Sequence, residues 1–204
     1  MKGHDSGPAP SVTIVNVGYR STNFWVVSAG RSRLLVDLGW PGTFSALTAN
    51  LDRMDVPVRE IAYGFATHYH MDHAGAAQDL KNAGMRLIVF DIQLPFVEPM
   101  ARVMKTSDRY TPISLNDNVV VAVDAGRAIL SSLGIEGEFV HTPGHSDDSV
   151  SLVLADGSVF TGDLTWPGFA TPEDVDAVAA SWDLLRSRGA KQVYAGHGPV
   201  RRIP

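Results

Sequence analysis

The 204-residue chain contains no cysteine, which rules out disulfides, thiolate metal ligands and a cysteine nucleophile together. Any metal it binds must rest on histidine and carboxylate side chains. Basic charge is also scarce, with 17 Lys and Arg against 22 Asp and Glu and a formal charge of −5. Binding nucleic acid requires clustered cations that displace counterions from phosphate, and this balance argues against it. The short runs Arg31-Ser32-Arg33 and Arg201-Arg202 read as solvated loop and tail charges. No window is long and apolar enough to span a membrane. The polar, Gly/Pro-rich opening from Met1 to Pro10 has no apolar stretch of signal-peptide length behind it, so the expected compartment is the cytoplasm.

What is present is an ordinary globular composition, 45% hydrophobic and 19% charged, with mean hydropathy +0.01. The length suits one domain, expected over residues 12–204 after a flexible segment at 1–11. The runs Val12 to Val17, Phe24 to Val27 and Leu34 to Asp37 predict an antiparallel meander. Phe44, Leu47, Leu51 and Met54 form the stripe of an amphipathic helix that ends before Pro57. A strand at Ile61 to Thr67, a helix from Ala74 to Asn82 closed by Gly84, and a strand at Leu87 to Phe90 follow. Pro95, Pro99 and Pro112 interrupt the next stretch, which predicts a short helix and loops. Further strands are expected at 119–123, 137–141, 149–154, 158–161 and 192–195. A helix is expected from Pro172 to Ser187, with Thr171 as its N-cap.

The densest local signal is His68-Tyr69-His70-Met71-Asp72-His73, where a strand gives way to a helix. Four potential metal ligands fall within six residues. On extended backbone His68 and His70 point the same way and can share one ion, while Asp72 and His73 turn toward another. That spacing suggests two metals. A chance histidine-rich turn is the competing reading, but imidazoles crowded without metal would repel one another when protonated. His145 in Thr142-Pro143-Gly144-His145, Asp163 in Thr161-Gly162-Asp163, and His197 in Gly196-His197-Gly198 each close a predicted strand. Strand ends converge on one rim of a sheet, where ligands gather.

In that order, His-x-His-x-Asp-His, Thr-Pro-Gly-His, Gly-Asp and Gly-His-Gly resemble the metallo-β-lactamase superfamily from Val12 to Pro199. The resemblance implies an α/β fold, an αββα sandwich of two mixed sheets between outer helices. It also implies two divalent cations, zinc first with iron or manganese as alternatives. His68, His70 and His145 would hold one ion, Asp72, His73 and His197 the other, and Asp163 would bridge them. Asp37 matches a position that supports the ligand shell, which a strand-end Asp capping a turn would also explain.

Two cations about 3.5–4 Å apart would supply hydroxide near neutral pH, with Asp72 accepting a hydrogen bond from it as the catalytic carboxylate. The expected activity is hydrolysis of a small carbonyl substrate: a lactone, thioester, ester or lactam. Exported zinc β-lactamases typically lack an Asp at the position of Asp163, and RNA-processing members usually add inserts that are not evident here. A phosphodiesterase and a mononuclear iron enzyme of the persulfide dioxygenase type are the alternative enzymes. A non-catalytic binding module is the third class.

Among the remaining residues, His141 reads as structural, and Asp147 and Asp148 as turn formers. Tyr69 and Met71 read as packing, and Asn23 as structural. Trp40 and Trp166 suit either a substrate mouth or the core. Specificity is expected in the loops around Trp40, Pro95 to Thr111 and Trp166 to Thr171. Oligomeric state has no signature.

Overall fold

The computed structural model describes residues 12–204; the segment assigned to 1–11 lies outside the described residues. The chain opens with strands β1 (Thr13–Asn16), β2 (Trp25–Ser28) and β3 (Arg33–Val36), the expected antiparallel meander. Helix α1 (Phe44–Arg53) then leads to β4 (Ile61–Phe65), and the short helices α2 (Met71–Ala74) and α3 (Ala77–Asn82) lead to β5 (Arg86–Phe90). Helix α4 (Leu94–Arg102), β6 (Val119–Val121) and helix α5 (Arg127–Ser132) complete the first half. The second half holds β7 (Gly137–His141), β8 (Val150–Leu154), β9 (Ser158–Gly162), α6 (Val175–Ser187), β10 (Gln192–Ala195) and β11 (Arg201–Arg202).

Two mixed sheets result, a six-stranded one in the order β1-β2-β3-β4-β5-β6 and a five-stranded one in the order β11-β10-β9-β8-β7. The alternation of side chains along each strand explains the layering. Leu34, Val36, Ile88 and Phe90 face the second sheet and meet Phe139, Leu152, Leu154 and Phe160 in one buried cluster. Leu35, Leu87 and Val89 point the other way, onto Leu47 and Leu51 of α1, Leu80 of α3 and Val97 of α4. Val153, Val159 and Val193 pack outward against Val178, Trp182 and Leu185 of α6. Strands buried on both faces read as continuous apolar runs, and the αββα sandwich follows from covering each outer face with helices.

Several local expectations are corrected. The helix expected from Ala74 starts at Met71 and is broken in two between Ala74 and Ala77. At the break, a Cβ on Gly75 would collide with the Met71 carbonyl and the Pro41 nitrogen, so the β3–α1 loop passes tightly against it. Helix α4 tolerates Pro95 in its first turn, and it also contains Pro99. Regular α6 begins at Val175, not Pro172: the Asp174 carboxylate accepts the Thr171 N–H at 2.6 Å and closes a separate turn ahead of it. Arg33 is not a solvated loop charge; it lies on β3 and pairs with Glu60 at 3.1 Å. Arg201 and Arg202 are not a loose tail but a strand paired with β10. No helix among the described residues is long and apolar enough to cross a membrane.

Candidate metal centre

All seven residues singled out in the sequence come together where strands of both sheets end. The loop after β4 and the short α2 deliver His68, His70, Asp72 and His73 from the first sheet. The ends of β7, β9 and β10 deliver His145, Asp163 and His197 from the second. Five of the chain's seven histidines gather here. Neighbouring imidazole centroids lie between 4.3 Å, for His68 and His73, and 5.5 Å, for His73 and His197.

The donors form overlapping groups: His68, His70 and His145; His68, His73 and Asp163; and Asp72, His73 and His197. In each group the ligand atoms lie within 4.8 Å of one another. Asp163 Oδ2 reaches across the groups, 3.8 Å from His145 Nε2, 3.4 Å from His73 Nε2 and 3.3 Å from His197 Nε2. Asp72 Oδ2 lies 3.2 Å from His197 Nε2 and 3.4 Å from His73 Nε2.

The residues fit divalent cations. His68 Nε2 and Asp163 Oδ1 are buried without a hydrogen-bond partner among the described residues, although buried polar groups are otherwise almost always satisfied. Imidazole and carboxylate donors without thiolate suit zinc, iron and manganese.

Electrostatics reflect the same crowding. Burial, and then the surrounding imidazoles led by His73, hold His68 well below the ordinary histidine range. His145 is lowered by its own burial, which the Asp163 charge only partly offsets. Burial would lower His73 too, but the Asp37 carboxylate, with Asp163 and Asp72, lifts it well above the ordinary value. For Asp72 and Asp163, burial works to raise the carboxyl and is outweighed by the imidazoles, His73 foremost, so both sit low.

A surrounding shell fixes these groups, and sequence reasoning saw little of it. Asp37 is buried, its Oδ2 2.9 Å from His73 Nδ1, while its Oδ1 accepts the Thr67 N–H at 2.8 Å and the Thr67 hydroxyl at 2.9 Å. The contact with His73 gives Asp37 the supporting position that the family pattern implied. Thr22, not foreseen, donates its hydroxyl to Asp72 Oδ2 at 3.0 Å and accepts the Trp40 indole N–H at 3.1 Å. His197 Nδ1 donates to the Ser21 carbonyl at 2.7 Å, which leaves Nε2 facing the carboxylates.

Asn23 donates to the carbonyls of Ala195 and Gly198 and so ties the His197 loop to the first hairpin. Gln93 bridges the carbonyls of Ala66, Thr67 and Asp148. Asp148 is more than a local turn former, since its Oδ2 accepts the Tyr69 N–H at 2.8 Å inside the His-rich loop. His141 is exposed and donates to the Asp147 carbonyl, and Tyr69 packs in the core. Gly196 has a steric role: a Cβ there would strike Asp163 Oδ1 and His73 Cε1. Its only signal in the sequence was a glycine next to a ligand-type histidine.

Beside the donors, a cavity of about 330 Å³ is lined by His145, Asp163, His197, Trp166 and Arg201 among others. Trp166 lines this cavity and also packs on the core cluster beneath α6. Trp40 is half-buried, packs on the first core cluster and faces Thr22 instead. The segment Pro95 to Thr111 lines no part of this cavity.

This fold, with its donors at one rim between two mixed sheets, defines a family, and the chain belongs to it: the metallo-β-lactamase superfamily, whose profile matches residues 17–197. Among curated relatives, "Lactamase-like protein GME11357" of Pestalotiopsis microspora is 25% identical over 89% of this chain and 50% of its own length. "Beta-lactamase-like protein 2 homolog" of Caenorhabditis elegans is 26% identical over 97% of this chain and 60% of its own length. "Atrochrysone carboxyl ACP thioesterase" of Aspergillus chevalieri is 27% identical over 89% of this chain and 52% of its own length. The chain thus spans between half and three-fifths of these relatives. Among solved structures, TTHA1623 in a di-iron-bound form superposes with a TM-score of 0.71 at 25% identity, covering 94% of this chain and 95% of that one. A metallo-β-lactamase from Cronobacter sakazakii, a mutant of its HARLDQ motif, gives 0.69 at 23% identity, covering 91% and 77%.

Proposed function

We propose that the chain is a two-cation hydrolase of a small carbonyl substrate: a lactone, thioester, ester or lactam. In this reading His68, His70 and His145 hold one ion, Asp72, His73 and His197 the other, and Asp163 both. The observation that carries it is the reach of Asp163 Oδ2 to imidazoles of both groups. The di-iron-bound form of TTHA1623 supports two ions and keeps iron beside zinc, and the name of the thioesterase relative supports thioesters within the substrate class.

Two divalent cations bound there would lower the pKa of a shared water toward neutrality and polarise the substrate carbonyl. The residues supply the rest. Thr22 fixes Asp72 Oδ2. Cations bound beside it would keep Asp72 a carboxylate, so that its oxygen could accept a hydrogen bond from the attacking water and orient it. Asp37 fixes the ring of His73, and Ser21 that of His197, so neither imidazole must reorganise during the reaction.

The test combines elemental analysis with a panel of lactones, thioesters, esters, lactams and phosphodiesters on the same metal-loaded sample. Two ions per chain and turnover of a carbonyl member are expected, with turnover lost in His70→Ala and Asp163→Ala. Metal-free purified protein, or full activity in either variant, would sink the proposal. One iron per chain with oxygen consumption would favour the oxygenase reading. Turnover of phosphodiesters alone would favour the phosphodiesterase.

A further inference from the structure

The cavity beside the donors is lined by two chemically different sets of side chains: His145, Asp163 and His197, and Trp166 and Arg201, with Leu164 among the apolar residues completing the lining. Arg201 is the only Lys or Arg in that lining, and it forms no ion pair among the described residues. It is nonetheless held in place. Its backbone pairs with Val193 in the β10–β11 ladder, and its guanidinium lies 5.7 Å from the centre of the Trp166 ring. Trp166 in turn packs edge-on against Trp182 at 5.0 Å, and buried Trp182 is anchored by its indole N–H to the Thr165 carbonyl.

A guanidinium lying on an aromatic face keeps its in-plane N–H groups free. Those groups form a fork that matches a carboxylate with two parallel hydrogen bonds. A guanidinium without an ion pair, in the lining of a small cavity that three of the donors also line, fits an acyl substrate that carries an anionic group besides its scissile carbonyl.

We propose that Arg201, supported by Trp166, makes this enzyme selective for substrates that carry a free carboxylate. The inference rests on the hydrolase reading and names its substrate class more closely. Arg201 acts here as a specificity residue that touches substrate and not the scissile bond.

The experiment compares para-nitrophenyl hydrogen glutarate with para-nitrophenyl valerate, its neutral counterpart of equal acyl length, in wild type, Arg201→Gln and Arg201→Lys. Wild type should favour the glutarate ester by about tenfold in kcat/KM, carried by KM, the low end for a charge-assisted hydrogen bond in a partly exposed setting. Arg201→Gln should erase that preference, bringing kcat/KM for the glutarate ester down to that for the valerate ester in the same variant. Arg201→Lys should keep part of it, as a point charge without the fork.

A second arm needs no turnover. Tryptophan emission of chelator-treated protein is titrated with glutarate and with valeramide, and a saturable response to glutarate alone should vanish in Arg201→Gln. A wild type without preference, or an Arg201→Gln variant that retains either the preference or the glutarate response, overturns the inference. Failure to turn over both esters counts against the hydrolase reading alone, because the emission arm still decides the role of Arg201.

Discussion

The two donor groups are built differently. In the group of Asp72, His73 and His197, each member has a dedicated polar partner outside the group: Thr22, Asp37 and the Ser21 carbonyl. In the group of His68, His70 and His145, only His68 has such a neighbour among the described residues, Thr67 at 3.2 Å, while exposed His70 and His145 face each other at 3.1 Å. The first group is braced by polar contacts; the second is held by backbone placement and imidazole packing. The cost of losing a donor should therefore differ between them, in stability for the braced group and in metal binding alone for the other.

His73→Ala should give the largest effect. It leaves the Asp37 carboxylate buried without its imidazole, a loss of about 3 kcal/mol, at the low end for breaking a buried pair because Thr67 still donates to Asp37. Denaturant unfolding of chelator-treated protein measures it. His70→Ala, by contrast, should leave the unfolding midpoint nearly unchanged while removing bound metal; equal destabilisation by the two variants would break the distinction.

Next in size, Asp37→Asn should weaken metal binding or activity by about 10–100-fold, as expected when a ligand loses its orienting partner. Competition with a chromophoric chelator reads the affinity directly. Thr22→Val should lower kcat by about tenfold with little change in metal content, and Trp40→Phe, one bond further out, by about threefold. A larger effect from Trp40→Phe than from Thr22→Val would mean that Trp40 acts by packing and not through the Thr22 hydroxyl.

The smallest effect concerns pH in chelator-treated protein. His68 is held below the unfolded value of 6.5, so the unfolded chain takes up its proton first and stability falls as pH drops below that value. His73 is raised above the same value, so its contribution is complete below 6.5 and is lost as pH rises through its folded pKa. Thermal melts across this range should show a stability maximum between the two limbs. A monotonic profile would show that one histidine dominates.

The legible features were those that a few adjacent residues express. His68 to His73 is one short run, and most strands stand out as short apolar, β-rich runs between turn residues, while the sandwich is what the family resemblance implies. The supporting shell was not legible because its members are ordinary residues whose meaning is positional. Thr22 and Asp72 are 50 positions apart, and Gln93 becomes a strut only when three carbonyls converge on it. Helix α5 is hard to foresee because six residues are too few for a helical period to stand out. Thr171-Pro172 resembles a helix start because capping chemistry and turn chemistry use the same residues, and Asp174 decides for the turn. Arg201 reads as a tail charge in the sequence because two arginines shortly after a proline carry no periodicity, and only the pairing with β10 shows where they lie.

The stitching of the His197 loop has a consequence for biosynthesis. Asn23 reaches carbonyls 172 and 175 positions downstream, and Trp25 reaches Ala195 across 170. Contacts of such span form late, after the loop entropy between their ends has been overcome. A ribosome-bound chain halted before residue 195 would thus have its first hairpin exposed and its His-rich loop without the last imidazole. The group of Asp72, His73 and His197 should be completed only as the final strand docks, whereas His68, His70 and His145 have all been made by then, so the order of emergence should time the two halves of the centre separately.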